Sequence, residues 1–130
     1  MLFHNLALKL AQDIQDGGDG FTIKPLTETT PTMGYAVGGD PAIPEVRIAG
    51  VRTAPLPVVK TLIDAHLELC HGWTDDGLAG GWVHEGDLYL DAPTIVWHLD
   101  DALRLAEERG ELAIFDIENG REILLADQPA

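Results

Sequence analysis

Leu99-Asp100-Asp101-Ala102-Leu103-Arg104-Leu105-Ala106-Glu107-Glu108-Arg109-Gly110 runs straight into Glu111-Leu112-Ala113-Ile114-Phe115-Asp116-Ile117-Glu118-Asn119-Gly120-Arg121-Glu122-Ile123-Leu124-Leu125, and the change of period between the two halves decides the fold class. The first half reads as a helix. His98 or Asp100 can cap it, Asp101 lies in its first turn, Leu99, Leu103 and Ala106 share one side, Arg109 sits in its last turn and Gly110 stops it. The second half is apolar from Leu112 to Ile117 on both faces, as in a central strand. The Asn119-Gly120 pair predicts a type I′ turn, with Glu122–Leu125 returning antiparallel. A helix laid on an antiparallel pair is the seed of an α+β domain, and Leu103 and Ile114 are its expected buried contacts.

Working outward, Phe3, Leu6, Ala7, Leu10, Ala11 and Ile14 recur at helical spacing, and Gly17-Gly18-Asp19-Gly20 closes that segment. Between Phe21 and Gly50, Pro25, Pro31, Pro41 and Pro44 leave room only for short strands at Phe21–Lys24, Gly34–Val37 and Val46–Ile48. Thr53 can cap a second helix that tolerates Pro55 in its first turn; Val59, Leu62, Ile63, His66, Leu67 and Cys70 form its stripe, and Gly72 suits its C′ position. Trp73–Gly81 reads as a glycine-rich loop, and Trp82–His84 with Leu88–Leu90 as a hairpin. The expectation is one α+β domain over residues 1–125, with about four to six short antiparallel strands in a sheet packed against three helices, and a flexible tail over 126–130.

Composition narrows the function classes. The chain of 130 residues has 22 acidic and 8 basic side chains and a formal net charge of −14, with 14 acids against 3 bases from residue 73 onward. That balance disfavours phosphate backbones and anionic membranes as direct partners and favours a protein, in particular a basic one; a homo-oligomer is a further possibility. The lone Cys70 and the absence of a basic, then apolar, leader at Met1–Leu10 point to the cytoplasm. The chain has no serine, hence no serine nucleophile, and no phosphate or dinucleotide loop; no cofactor is implied.

Three groups of residues could carry function. Asp100, Asp101, Glu107, Glu108, Glu111 and Glu118 concentrate charge around the last helix and hairpin, an array able to attract a basic protein. His66, Cys70, His71 and His84 offer an i, i+4 ligand pair with two further donors, the basis of an alternative reading as a small enzyme or metal-binding domain. Trp73 and Trp82 border a loop that could hold a small ligand, and Thr32 and Tyr35 lie in a Thr29–Gly39 stretch that could line a groove or offer a partner-binding edge. The leading expectation is a non-enzymatic binding or regulatory module.

Two segments also carry a resemblance. Gly20-Phe21-Thr22 with Pro31–Val37, and Gly81-Trp82-Val83 through Leu88–Asp91 to Asp101–Ala106 and Leu112–Asp116, resemble small proteins of unestablished activity encoded in actinobacterial genomes and their phages or prophages. The resemblance implies that setting and transfers no functional residue. Ala113-Ile114-Phe115-Asp116 is similar to a segment of the acidic antirestriction proteins that mimic DNA.

Overall fold

The structure is a computed structural model and describes residues 2–129; Met1 and the last residue of the expected tail, Ala130, lie outside it. It is a single α+β domain in which three helices cover two short antiparallel sheets. Helix α1 (His4–Gln15) buries Leu6, Ala7, Leu10, Ala11 and Ile14, the stripe its spacing predicts. Its first turn is capped from another helix: Glu68 Oε1 accepts the Leu2 N–H at 2.9 Å and Asp64 Oδ1 the Phe3 N–H at 3.2 Å. Arg52 Nη1 donates to the Ile14 carbonyl at the other end.

Helix α2 (Leu56–Trp73) starts later and ends later than its signals suggest. Thr53 does not cap it, since its hydroxyl donates to the Gly50 carbonyl; Pro55 occupies the cap position. Gly72 lies within the helix, and the Thr74 hydroxyl takes the Cys70 carbonyl beyond it. Val59, Ile63, His66, Leu67 and Cys70 are buried, whereas Leu62 stands at the edge of the stripe, 39% exposed.

Strands β1 (Gly20–Ile23), β2 (Tyr35–Val37), β3 (Val46–Ile48), β4 (Ala79–His84), β5 (Asp87–Asp91), β6 (Thr94–Val96), β7 (Ala113–Asp116) and β8 (Arg121–Leu124) form two sheets rather than one, in the orders β1-β4-β5-β3 and β6-β2-β7-β8. Helices α1 and α2 enclose the larger core against the first sheet, and α3 (Leu99–Glu108) covers one face of the second. Strand β2 leaves the first half of the chain to pair with β6 and β7 from the second, so both halves build the second sheet. The predicted Trp73–Gly81 loop is shorter than expected, because Ala79, Gly80 and Gly81 already pair with β1 and β5.

The type I′ turn lies in the β4–β5 hairpin and not at Asn119-Gly120. The two-residue turn between His84 and Asp87 has positive φ at both Glu85 (51°) and Gly86 (83°), as a type I′ turn requires. At Asn119-Gly120 only Gly120 is left-handed, because Asn119 donates both its backbone N–H and its Nδ2–H to Asp116 and so closes a longer loop. In α3 the fully buried positions are Ala102 and Ala106, with Leu99 and Leu103 half-buried beside them. The helix thus approaches the sheet on its small side chains. Its N-cap is His98, without a side-chain hydrogen bond, and Asp100 and Asp101 occupy the first turn.

Candidate binding surface

Side chains alternate across a strand, and antiparallel partners share a face, so the register of the second sheet assigns each residue to a side. Val37, Ile114 and Ile123 face α3. The opposite side carries the cross-strand row Ile95, Ala36, Phe115 and Glu122, followed by Ala113 and Leu124. Helix α3 packs on the other side of the sheet; on this side Ala36 is buried at 8%, while Phe115 and Leu124 are each 43% exposed, and Leu112 just before β7 is 83% exposed. Here the expected central strand differs from the real one: β7 is internal in its sheet and apolar on both sides, yet only one side is buried.

The open row ends at Trp97, two residues past Ile95 and 65% exposed. Gly34 lets the indole lie close to the backbone of the segment entering β2. It has φ 90°, and a Cβ there would stand 2.9 Å from Ile95 Cγ2 and 3.4 Å from Trp97 Cε3. The Gly34 carbonyl also accepts the Ile117 N–H at 3.0 Å, fastening this corner to the end of β7.

Trp97 walls two cavities. One, of about 320 Å³, continues the open face: Ile95, Leu78 and Pro31 form its apolar side, and Lys24, Thr29, Thr30 and Asp76 its polar rim. A short reversal shapes the rim, with the Lys24 N–H donating to the Thr29 carbonyl at 2.8 Å and Glu28 left-handed at φ 55°. Asp76 Oδ2 accepts the Ile95 N–H at 3.3 Å, which occupies a main-chain donor on edge strand β6. The other cavity, of about 150 Å³, lies at the α3 side of the same sheet end and is lined by Met33, Gly34, Tyr35, Asp116, Glu118 and Asn119 with Trp97. The Asp116 carboxyl is held below its ordinary range chiefly by the Asn119 hydrogen bonds. Glu118, exposed in the turn, makes no ion pair among the described residues.

The structure brings Tyr35 and Glu118 together at this corner, and Thr32, exposed, sits in the chain between the linings of the two cavities. The other sequence candidates lie elsewhere. Asp100, Asp101, Glu107 and Glu108 are exposed on α3, with Asp101 paired to Arg104 at 3.1 Å. Glu111 turns inward toward Gly38 and Gly39 and is separate from that face. Trp73 is 72% exposed at the end of α2, while Trp82 stacks on Tyr89 and His84 in the β4–β5 hairpin, and neither lines the two cavities. Trp97, the residue that organises the surface, escaped the sequence reading. Its signal was a tryptophan directly after the β-branched pair Ile95-Val96 and directly before a helix cap.

The His/Cys set does not converge. His66 and Cys70 are buried together: His66 Nε2 donates to the Asp91 carbonyl at 2.8 Å and lies 3.4 Å from Cys70 Sγ, leaving Nδ1 without a partner. Burial lowers the His66 pKa and pushes the Cys70 thiol up to about 12, the opposite of what a nucleophile or thiolate ligand needs. His71 is exposed with its ring edge against Phe3, and His84 is exposed beside Glu85. Among the described residues no three His, Cys, Asp or Glu side chains are arranged to hold a metal ion.

One further electrostatic feature sits where the two sheets meet. Asp91 of β5 accepts the Gly39 N–H at 3.2 Å, and burial raises its carboxyl to about 6, with Glu111 and Glu45 adding to the effect and Arg109 opposing it. Arg109 bridges this junction through the Val37 and Gly38 carbonyls and the Thr94 hydroxyl. A Cβ at Gly38 would collide with the Asp91 carboxylate, so only glycine permits this approach. Neither cavity is lined by Asp91 or Glu111, which makes the group a junction within the fold. Comparison of the chain with protein-family models, with curated proteins and with solved structures finds no match in any of the three.

Proposed function

We propose that the chain is a non-enzymatic binding module that docks a basic partner protein on the open side of the β6-β2-β7-β8 sheet, around Trp97. The observation that carries this reading is the exposure of Phe115, Leu124 and Trp97 along the side of the sheet that α3 leaves open, set on a chain of net charge −14. Contiguous exposed apolar surface is costly in water and is retained where a partner covers it. Aromatic side chains such as Trp97 supply much of the energy at the centre of such contacts. The acidic residues of α3 lie on the helix that packs against the other face of this sheet. They act through the field that attracts the partner, without touching it.

The test uses the full chain to recover partners from a lysate of the source organism, followed by kinetics with the purified partner. Phe115→Asp, at a solvent-facing position, is expected to weaken binding at least tenfold while leaving the fold intact. Glu107→Gln with Glu108→Gln is expected to slow association more than it speeds dissociation, and added salt to mimic that change because surface charges are screened beyond about 8 Å at physiological ionic strength. Binding insensitive to both Phe115→Asp and salt would overturn the proposal.

A further inference from the structure

We propose that the Trp97 corner recognises an extended segment of the partner in which an apolar residue and a Lys or Arg stand two positions apart, the apolar side chain entering the larger cavity and the cation the smaller. This rests on the protein-binding reading and specifies its ligand. The two cavities differ in chemistry although they share one wall. The larger offers Ile95, Leu78, Pro31 and Trp97. The smaller offers the rings of Tyr35 and Trp97 with the carboxylates of Glu118 and Asp116. Aromatic faces beside carboxylates favour a guanidinium or ammonium, which the ring quadrupole and the charge-assisted hydrogen bond both attract. Asp116 already accepts two hydrogen bonds from Asn119 and lies 3.8 Å from Arg121 Nε. Glu118 is therefore the group left to pair with an incoming cation.

Size and spacing point the same way. Sites for whole small molecules run from about 300 to 1,000 Å³. A cavity of about 150 Å³ is well below that range and one of about 320 Å³ is at its floor, so each suits a single side chain. Ile95 belongs to the open face of the sheet and Tyr35 to the α3 face, and Trp97 lines both cavities at the sheet end. Groups in van der Waals contact with opposite sides of one ring are about 7 Å apart, since each contact is about 3.5 Å. Residues i and i+2 of an extended chain are separated by about the same distance, at 3.2–3.4 Å per residue. Simple strand addition beside β6 is obstructed because the Ile95 N–H already donates to Asp76. Recognition therefore depends on side chains.

The experiment is a selection of displayed random heptapeptides on the immobilised full chain, followed by binding of the synthetic consensus peptide measured by fluorescence anisotropy. The expected pool is enriched in an apolar residue two positions from Lys or Arg. Trp97→Ala should weaken the consensus peptide at least tenfold and Glu118→Gln at least threefold, with Trp73→Ala unchanged. Circular dichroism checks the fold of each variant; Glu118 lies in an exposed turn, so its variant keeps the test decisive if Trp97→Ala unfolds. No enrichment, a pool without the basic residue, or affinity unchanged in Glu118→Gln would overturn the inference. A natural partner lost by Phe115→Asp but retained by both Trp97→Ala and Glu118→Gln would overturn this peptide pattern alone. A partner retained by all three would overturn the binding surface as well.

Discussion

Asp91→Asn will be more stable than the native chain at neutral pH by about 3 kcal/mol, and the advantage will fade as the pH falls from about 7 to 4. The carboxyl stands at about 6 in the folded protein against an ordinary 3.8, because burial, with Glu111 and Glu45 adding to it, outweighs the lowering by the Gly39 hydrogen bond and Arg109. For an acid raised in this way the folded state holds its proton more tightly than the unfolded state. Between the two values stability therefore falls as pH rises, and the full penalty is in force above about 6. Asparagine removes the charge and keeps a carbonyl oxygen to accept the Gly39 N–H. His66 acts in the opposite sense, since its lowered pKa makes acidification below its ordinary value of 6.5 favour the unfolded chain. For that reason the informative quantity is the difference between variant and native chain in urea unfolding at each pH. A difference that stays constant from pH 4 to 8 would show that Asp91 ionises normally and that the two sheets do not meet around it as described.

Leu67→Ala will cost about 2 to 5 kcal/mol, the range for truncating a buried aliphatic side chain that leaves a cavity. Leu67 is wholly buried among α1, α2 and the first sheet. Set against a total stability of typically 5–15 kcal/mol, a loss of that size threatens folding at physiological temperature. Leu62 is on the same helix and has the same chemistry, but it is 39% exposed, and Leu62→Ala should cost less than about 1 kcal/mol. Equal costs would place the helix in the wrong rotational phase. The contrast also checks a point that periodicity alone did not separate, since both leucines belong to the stripe as read from sequence.

The helices were legible because their signal is local. The stripe of α1 is buried as its spacing predicts, and the stop at Gly110 lies one residue beyond the C-cap Arg109 of α3. Strand pairing was legible only where a turn joins the partners, as at β4–β5 and β7–β8. That Tyr35–Val37 would lie between β6 and β7 depends on contacts far apart in sequence, which no local pattern encodes, and three-residue strands such as β6 are too short to show alternation. Splitting the strands into two sheets follows from the same missing information. The candidate site suffered more. An apolar run at Ala113–Phe115 reads as a doubly covered strand whether or not a second layer exists, and only the structure leaves Phe115 uncovered. Likewise, residues four apart on a helix were correctly placed together at His66 and Cys70, but the buried side of α2 is where a ligand is hardest to reach.

Amide hydrogen–deuterium exchange of the full chain, free and saturated with its purified partner, tests the binding surface most directly. Exchange is expected to slow at residues 29–35, 76–78, 94–97 and 113–119, with residues 100–108 of α3 and residues 82–90 of the β4–β5 hairpin unchanged. Protection confined to α3, or to the β4–β5 hairpin from Trp82 to Leu90, with the Trp97 corner unchanged, would contradict that surface.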